Sequence, residues 1–237
     1  MKINELNSFI DGINKIADYL QERAEKKGDI IIEQLDIDYN PDGDEISEEA
    51  KKQIPDDLIP FVEKIKGINL EWNLTEFADK YTGLGKIEIS SSEIFSNITD
   101  NKEYFYTIED GIIEMSFDDK DQYDHYKFSY LDLFGGPDAY STIICPKDNL
   151  KNYRLGIITS QGSEGFLTDW KLRDYLFNLL KTAGLFYWAV SFKNCKYDYD
   201  CLIKNALVNF DYSKENESLL KEILNDIYKL NANIFFN

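Results

Sequence analysis

Apolar and polar side chains alternate without a break through Ile68-Asn69-Leu70-Glu71-Trp72-Asn73-Leu74. That is the period of a strand with one buried face and one wet face. Directly before it, Ile54-Pro55-Asp56-Asp57-Leu58-Ile59-Pro60-Phe61 reads as an acidic, proline-marked helix start. The helix carries Leu58, Phe61, Val62 and Ile65 on one side. Pro60 fits its first turn if Asp57 is the N-cap, because the N–H missing there would be unpaired anyway. Gly67 is placed to end the helix in the left-handed conformation. The Trp72 face of the strand is expected to be core, and Asn69, Glu71 and Asn73 form a polar face with no assigned role.

The same reading extends along the chain. Ile3, Leu6, Ile10, Ile13, Ala17 and Leu20 recur at steps of three and four, with Phe9 and Ile16 widening the stripe, so an amphipathic helix docked to its own domain is expected, ending at Gly28. Ile30-Ile31-Ile32 predicts a strand running into the acidic stretch Asp36–Glu49. Gly85-Lys86-Ile87-Glu88-Ile89 predicts a short strand and Glu93-Ile94-Phe95 a helical turn. Tyr104–Ile108 and Ile112–Phe117 flank Asp110-Gly111, a dipeptide that tolerates positive φ, so they predict a hairpin. Thr142–Cys145 and Arg154–Thr159 read as further strands, and Ser160–Gly165 as a loop. Trp170–Lys181 reads as an amphipathic helix stopped at Gly184. The last helix bears Leu219, Leu220, Ile223, Leu224, Ile227 and Leu230. Helices at both ends with strands between predict an α+β fold, mainly antiparallel. The chain reads as one domain: residues 46–193 form the core, 1–45 an N-terminal helix-and-strand extension, and 194–237 a C-terminal helical extension.

Asp38-Tyr39-Asn40-Pro41-Asp42-Gly43, with Glu49 at the twelfth place, satisfies the written pattern of an EF-hand calcium loop. Its context does not fit, because the preceding residues read as a strand where an entering helix is needed. Glu45 also sits where an apolar residue normally ties the loop to the core. A Pro-Asp-Gly turn followed by a helix capped by Ser47 is the preferred reading, with Glu48 and Glu49 well placed in the first turn.

Composition narrows the function classes. The chain has 44 Asp and Glu against 26 Lys and Arg, a formal net charge of -18. Nucleic-acid phosphates and anionic membranes repel such a surface, whereas basic proteins are attracted to it. Cys145, Cys195 and Cys201 form no C-x-x-C pair, and an odd count without metal spacing fits reduced thiols in a cytoplasmic protein. No signal peptide or membrane-length apolar run is read, Gly184–Phe192 being the longest candidate and far too short.

No motif of catalysis emerges. His125 is the only histidine and lies in the charged, loop-like stretch Tyr123–Tyr126. Gly162-Ser163-Glu164-Gly165 lacks the glycine two places before the serine that a nucleophile elbow needs, and the lysine of a phosphate-binding loop. Trp72, Trp170 and Trp188 are read as core. Carboxylate pairs are too numerous in this composition for any one pair to be informative. No cofactor, metal site or catalytic residue is therefore expected.

Ile54-Pro55-Asp56-Asp57-Leu58, the aromatic Phe61, and Gly67-Ile68-Asn69-Leu70-Glu71-Trp72 together resemble the SUKH superfamily, the Smi/Knr-like group of bacterial immunity proteins and fungal cell-wall-synthesis regulators. Gly85–Ile89 before Glu93-Ile94-Phe95 resembles its next strand and turn. Leu172, Tyr175, Leu176, Leu179 and Leu180, followed by Gly184-Leu185-Phe186-Tyr187-Trp188, resemble its closing helix and aromatic end. The likeness covers residues 46–192. Pro60 and both chain ends depart from the pattern. The resemblance implies a non-catalytic immunity protein that binds and neutralises a cognate toxin, often a nuclease. A nuclease needs a basic groove, which an acidic inhibitor can occupy. The expected partner surface is Asp118, Asp119, Asp121 and Asp124, with Asp42, Asp44 and Glu45 next. A regulatory scaffold of the fungal type, or an enzyme with an unrecognised carboxylate site, stays open.

Overall fold

The structure, a computed structural model, describes residues 1–40, 42, 46–78, 83–92, 94, 106–115, 126–132, 140–149, 151–159, 164–195, 198–208, 210 and 212–235. The fold is α+β, with helices at both ends of the chain and antiparallel sheet between them. The chain divides into two compact units. One comprises Met1–Ile3, Asp38–Ile68 and Glu88–Asp174; the other comprises Asn4–Ile37, Asn69–Ile87 and Tyr175–Asn237. Both terminal helical regions thus belong to one unit. No helix among the described residues is long and apolar enough to cross a membrane.

Helix α1 (Ile3–Lys27) buries Leu6, Phe9, Ile13, Ile16, Ala17 and Leu20 of the expected stripe, leaves Ile3 exposed at its start and Ile10 half-buried, and ends at Gly28 with φ +67°. Strand β1 (Ile30–Tyr39) follows. Ser47 caps the short α2 (Glu48–Lys51), its side chain accepting from the Ala50 N–H, as expected, while Pro41 and Gly43 of the expected turn lie outside the described residues. In α3 (Ile59–Lys64), Leu58 takes the cap position and Pro60 falls in the first turn.

Gly67 does not stop that helix. The chain turns directly from Lys64 into β2 (Ile65–Leu74) at Ile65, whose backbone is already extended (φ -99°, ψ 119°). The reason is sheet pairing: the Asn40 N–H donates to the Lys64 carbonyl at 2.7 Å, claiming a group that a continuing helix would need. Ile65 is buried as the first strand residue, not as helix.

A three-stranded sheet has the order β1-β2-β3, with β3 spanning Gly85–Ser90. The bonds from Thr75 N–H to Asp29 carbonyl and from Asn40 N–H to Lys64 carbonyl run β1 and β2 in opposite directions. Ser91, Ser92 and Ile94 are helical after β3, while Glu93 and Phe95 lie outside the described residues.

The first unit also contains a six-stranded sheet, wholly antiparallel, of order β4-β5-β9-β8-β7-β6. Its strands are β4 (Tyr106–Glu109), β5 (Ile112–Met115), β6 (Tyr126–Asp132), β7 (Tyr140–Pro146), β8 (Arg154–Thr159) and β9 (Glu164–Leu167). The β4–β5 hairpin turns at Asp110 (φ 49°) and Gly111 (φ 81°), as the dipeptide predicts. Two elements depart from the expected loops. Tyr126 opens β6, and Glu164–Gly165 belong to β9, which is inserted between β5 and β8. Tyr126 is placed by pairing with Pro146 of β7, and β9 by pairing with the distant β5 as well as with the neighbouring β8. A Cβ at Gly165 would fall 2.4 Å from the Ile157 carbonyl, so close strand approach sets the residue there. Ile113, Phe128, Tyr140, Ile144 and Ile158 form one cluster of this sheet, while Ile143, Cys145, Leu155 and Ile157 at alternate positions are also buried.

In the second unit, α4 (Leu172–Thr182, from Tyr175 onward) packs close to α1. A Cβ on Gly12 would lie 2.7 Å from Leu180 Cδ1. Helices α5 (Trp188–Cys195), α6 (Tyr199–Leu207), α7 (Lys214–Leu230) and α8 (Ala232–Phe235) complete the described elements. Ser213 and Asn216 form a reciprocal capping box at the start of α7. Cys195 and Cys201 are paired in a disulfide, Cα atoms 5.5 Å apart, which corrects the expectation of three reduced thiols. Consecutive helices place the two sulfurs together across a short turn, a juxtaposition that spacing alone does not announce. Cys145 is free and buried.

Trp72 is the tie of this unit. Fully buried, its ring lies on Gly85, where an added Cβ would come within 1.9 Å of Nε1. Its indole N–H donates to the Ala183 carbonyl at 3.0 Å. Beside it the Lys86 N–H donates to the Gly184 carbonyl at 2.8 Å and the Phe186 N–H to the Leu84 carbonyl at 2.7 Å. Trp188 is equally buried, its ring 5.1 Å from that of Tyr175. Trp170 is not core: it is half-buried and precedes α4, which starts two residues later than the periodicity suggests.

Candidate functional site

Of the acidic residues expected to face a partner, Asp118, Asp119, Asp121, Asp124, Asp44 and Glu45 lie outside the described residues, as does His125. Asp42 is described and exposed, its N–H donating to Asn40 Oδ1 at 3.1 Å. Among the described residues no group of three or more His, Cys, Asp or Glu side chains is placed to hold a metal ion.

The structure instead brings together Glu33 of β1 with Glu71 and Asn73 of β2. Asn73 is completely buried and donates from Nδ2 to Glu33 Oε1 at 3.1 Å. Glu71 Oε1 accepts the Gly83 N–H at 3.1 Å. Burial raises the Glu33 carboxyl above its ordinary value; the Asn73 bond opposes this, and the neighbouring Glu71 carboxylate adds to it. Asn69 Oδ1 is buried with no hydrogen-bond partner among the described residues. Glu71 and Asn73 on the polar face of β2 are therefore engaged by their own unit. The alternation locates Asn69, Glu71 and Asn73 on one face, but Glu33 joins them only through strand pairing.

A second charged cluster ties α1 to α7. Arg23 is 5% exposed and grips Asp29 with both arms, Nε to Oδ1 at 2.9 Å and a terminal nitrogen to Oδ2 at 2.7 Å. It also donates to the Tyr19 hydroxyl and to Glu222 Oε1, each at 2.9 Å, and Lys27 shares Glu222. Burial alone would lower the Arg23 pKa; the bonds to Asp29, Glu222 and Tyr19 outweigh it and raise the value. Lys27 and Arg23 lower the Glu222 carboxyl. A cavity of about 180 Å³ is lined by Tyr19, Arg23, Lys27 and Asp226. Its guanidinium is committed to carboxylates of the same unit, so this cluster is a structural clasp.

Exposed acidic side chains of the second unit include Glu33 and Asp36 on β1 and Glu25 near the end of α1, where Lys26 and Lys27 are exposed as well. β1 is an edge of its sheet. Between α1 and β1 lies an open groove of about 400 Å³, lined by Ala24, Glu25, Ile30, Ile31, Ile32 and Thr75. Neither this groove nor the Arg23 cavity is lined by Glu71.

No protein-family model, no curated protein and no solved structure matches this chain. The resemblance to the SUKH superfamily rests on the residues quoted for it.

Proposed function

We propose that this protein is a non-catalytic binding module of the immunity type, which captures and neutralises a basic toxin, such as a nuclease, in the cytoplasm. The observation that carries the reading is the surplus of acid, a net charge of -18, with exposed carboxylates at Glu25, Asp36 and Asp42. Such a field speeds encounter with a cationic partner and complements a phosphate-binding groove. Salt must weaken the complex, because exposed charges are screened.

The test is co-expression with the product of the adjacent gene. A toxic basic product whose growth inhibition is relieved, and which forms a complex that weakens steeply from 50 to 500 mM salt, supports the reading. Failure of that basic product to bind at low salt overturns it. A hydrolytic alternative has one observation on its side, the Glu33–Glu71 pair. It is the weaker reading, because those carboxylates accept bonds from Asn73 and Gly83 of their own unit.

A further inference from the structure

We infer that β1 is a docking edge that takes an extended, lysine- or arginine-bearing segment of the partner as an added strand. This deepens the proposed function and rests on its reading of a basic partner. The edge is open on one side: β1 ends the order β1-β2-β3, so no described strand is bonded to its outer side. An outer strand edge presents backbone N–H and C=O groups that an incoming chain can complete. Ile31, Ile32, Leu35 and Ile37 are only half-buried, and Glu33, Gln34 and Asp36 are exposed. The groove beside Ile30–Ile32 offers apolar walls with Glu25 at its rim.

Charge selects the occupant. From Ile30 to Tyr39 the strand carries Glu33, Asp36 and Asp38 and no Lys or Arg. Alternate residues share a face, so Asp36 lies with Gln34 and Asp38 and not with Glu33. A second copy pairing antiparallel about Asp36 would set Asp36 against Asp36, and like charges directly opposite are destabilising. A strand alternating basic with apolar or β-branched residues meets the same positions with complementary charge and fills the groove. Backbone bonds would supply affinity, and lysines on the face that Asp36 shares with Gln34 and Asp38 would supply selectivity.

The probe is a nine-residue peptide alternating lysine with valine or threonine, compared with a proline-interrupted peptide of the same charge. Hydrogen exchange of the full chain reads the site, and fluorescence anisotropy reads affinity. The expected result is slowed exchange at Ile31–Ile37 with the first peptide only, and at least tenfold weaker binding to the Glu25→Lys/Asp36→Lys variant. Equal binding of both peptides, or no protection of β1, would overturn the inference, since charge alone would then explain the contact. A dimer that the peptide does not dissociate, with β1 protected in it, would place a second copy on the edge and overturn it too. If the variant does not fold, the two peptides on the unaltered chain still decide. The adjacent gene's basic product separates this inference from the function it rests on. Equal capture of that product by the unaltered chain and the variant sinks the edge and keeps the function. Failure of that product to bind, with the peptide still protecting β1, sinks the function and keeps the edge.

Discussion

Single residues separate conformational strain from crowding. Gly28 and Gly184 share φ +67°, but an added Cβ meets nothing within 4 Å at Gly28 and lies 2.2 Å from the Lys86 carbonyl at Gly184. Gly28→Ala should therefore cost roughly 1–2 kcal/mol, the left-handed penalty alone, while Gly184→Ala should cost clearly more and unpair Lys86; urea titrations of both variants would show the order. Trp72→Ala should destabilise by about 3–5 kcal/mol, because it empties the site over Gly85 and orphans the Ala183 carbonyl. Glu33 titrates against the fold. Its carboxyl is raised from the ordinary 4.5, so its contribution is greatest below that value and is lost as pH rises through the higher folded value. Glu33→Gln should accordingly raise the melting temperature at pH 7.5 relative to the unaltered chain and lose that advantage near pH 4.

At the scale of elements, caps and partners compete for the same backbone groups. Helix α7 begins where the sequence says it can, since Ser213 and Asn216 satisfy each other's N–H groups. Ser213→Ala should cost about 1 kcal/mol, checked by thermal unfolding against an exposed control such as Ser218→Ala. Helix α3 shows the opposite case. Gly67 is a good helix stop by composition, yet the β1 pairing at Asn40 ends the helix three residues earlier. The β4–β5 hairpin is legible because Asp110-Gly111 is a local instruction. Strand β9 is not, because its short run is held by β5, remote in sequence, as well as by the neighbouring β8.

At the scale of the whole molecule, the thiols give a direct check. Under non-reducing denaturation, mass-detected alkylation should label Cys145 alone, whereas prior reduction should expose Cys195 and Cys201 as well. Three labelled thiols without reductant would restore the reduced state that the odd cysteine count suggests. The sequence by itself determined the α1 stripe, the alternation of β2, the hairpin at Asp110-Gly111 and the acid surplus, because each depends on spacing or composition along a few turns of chain. Only the tertiary structure decided that Glu33 meets Glu71, that Arg23 is spent on Asp29 and Glu222, that Cys195 finds Cys201, and that β1 is a sheet edge. Those facts depend on which segments pair, and pairing is settled by burial and hydrogen-bond satisfaction summed over residues far apart in the chain.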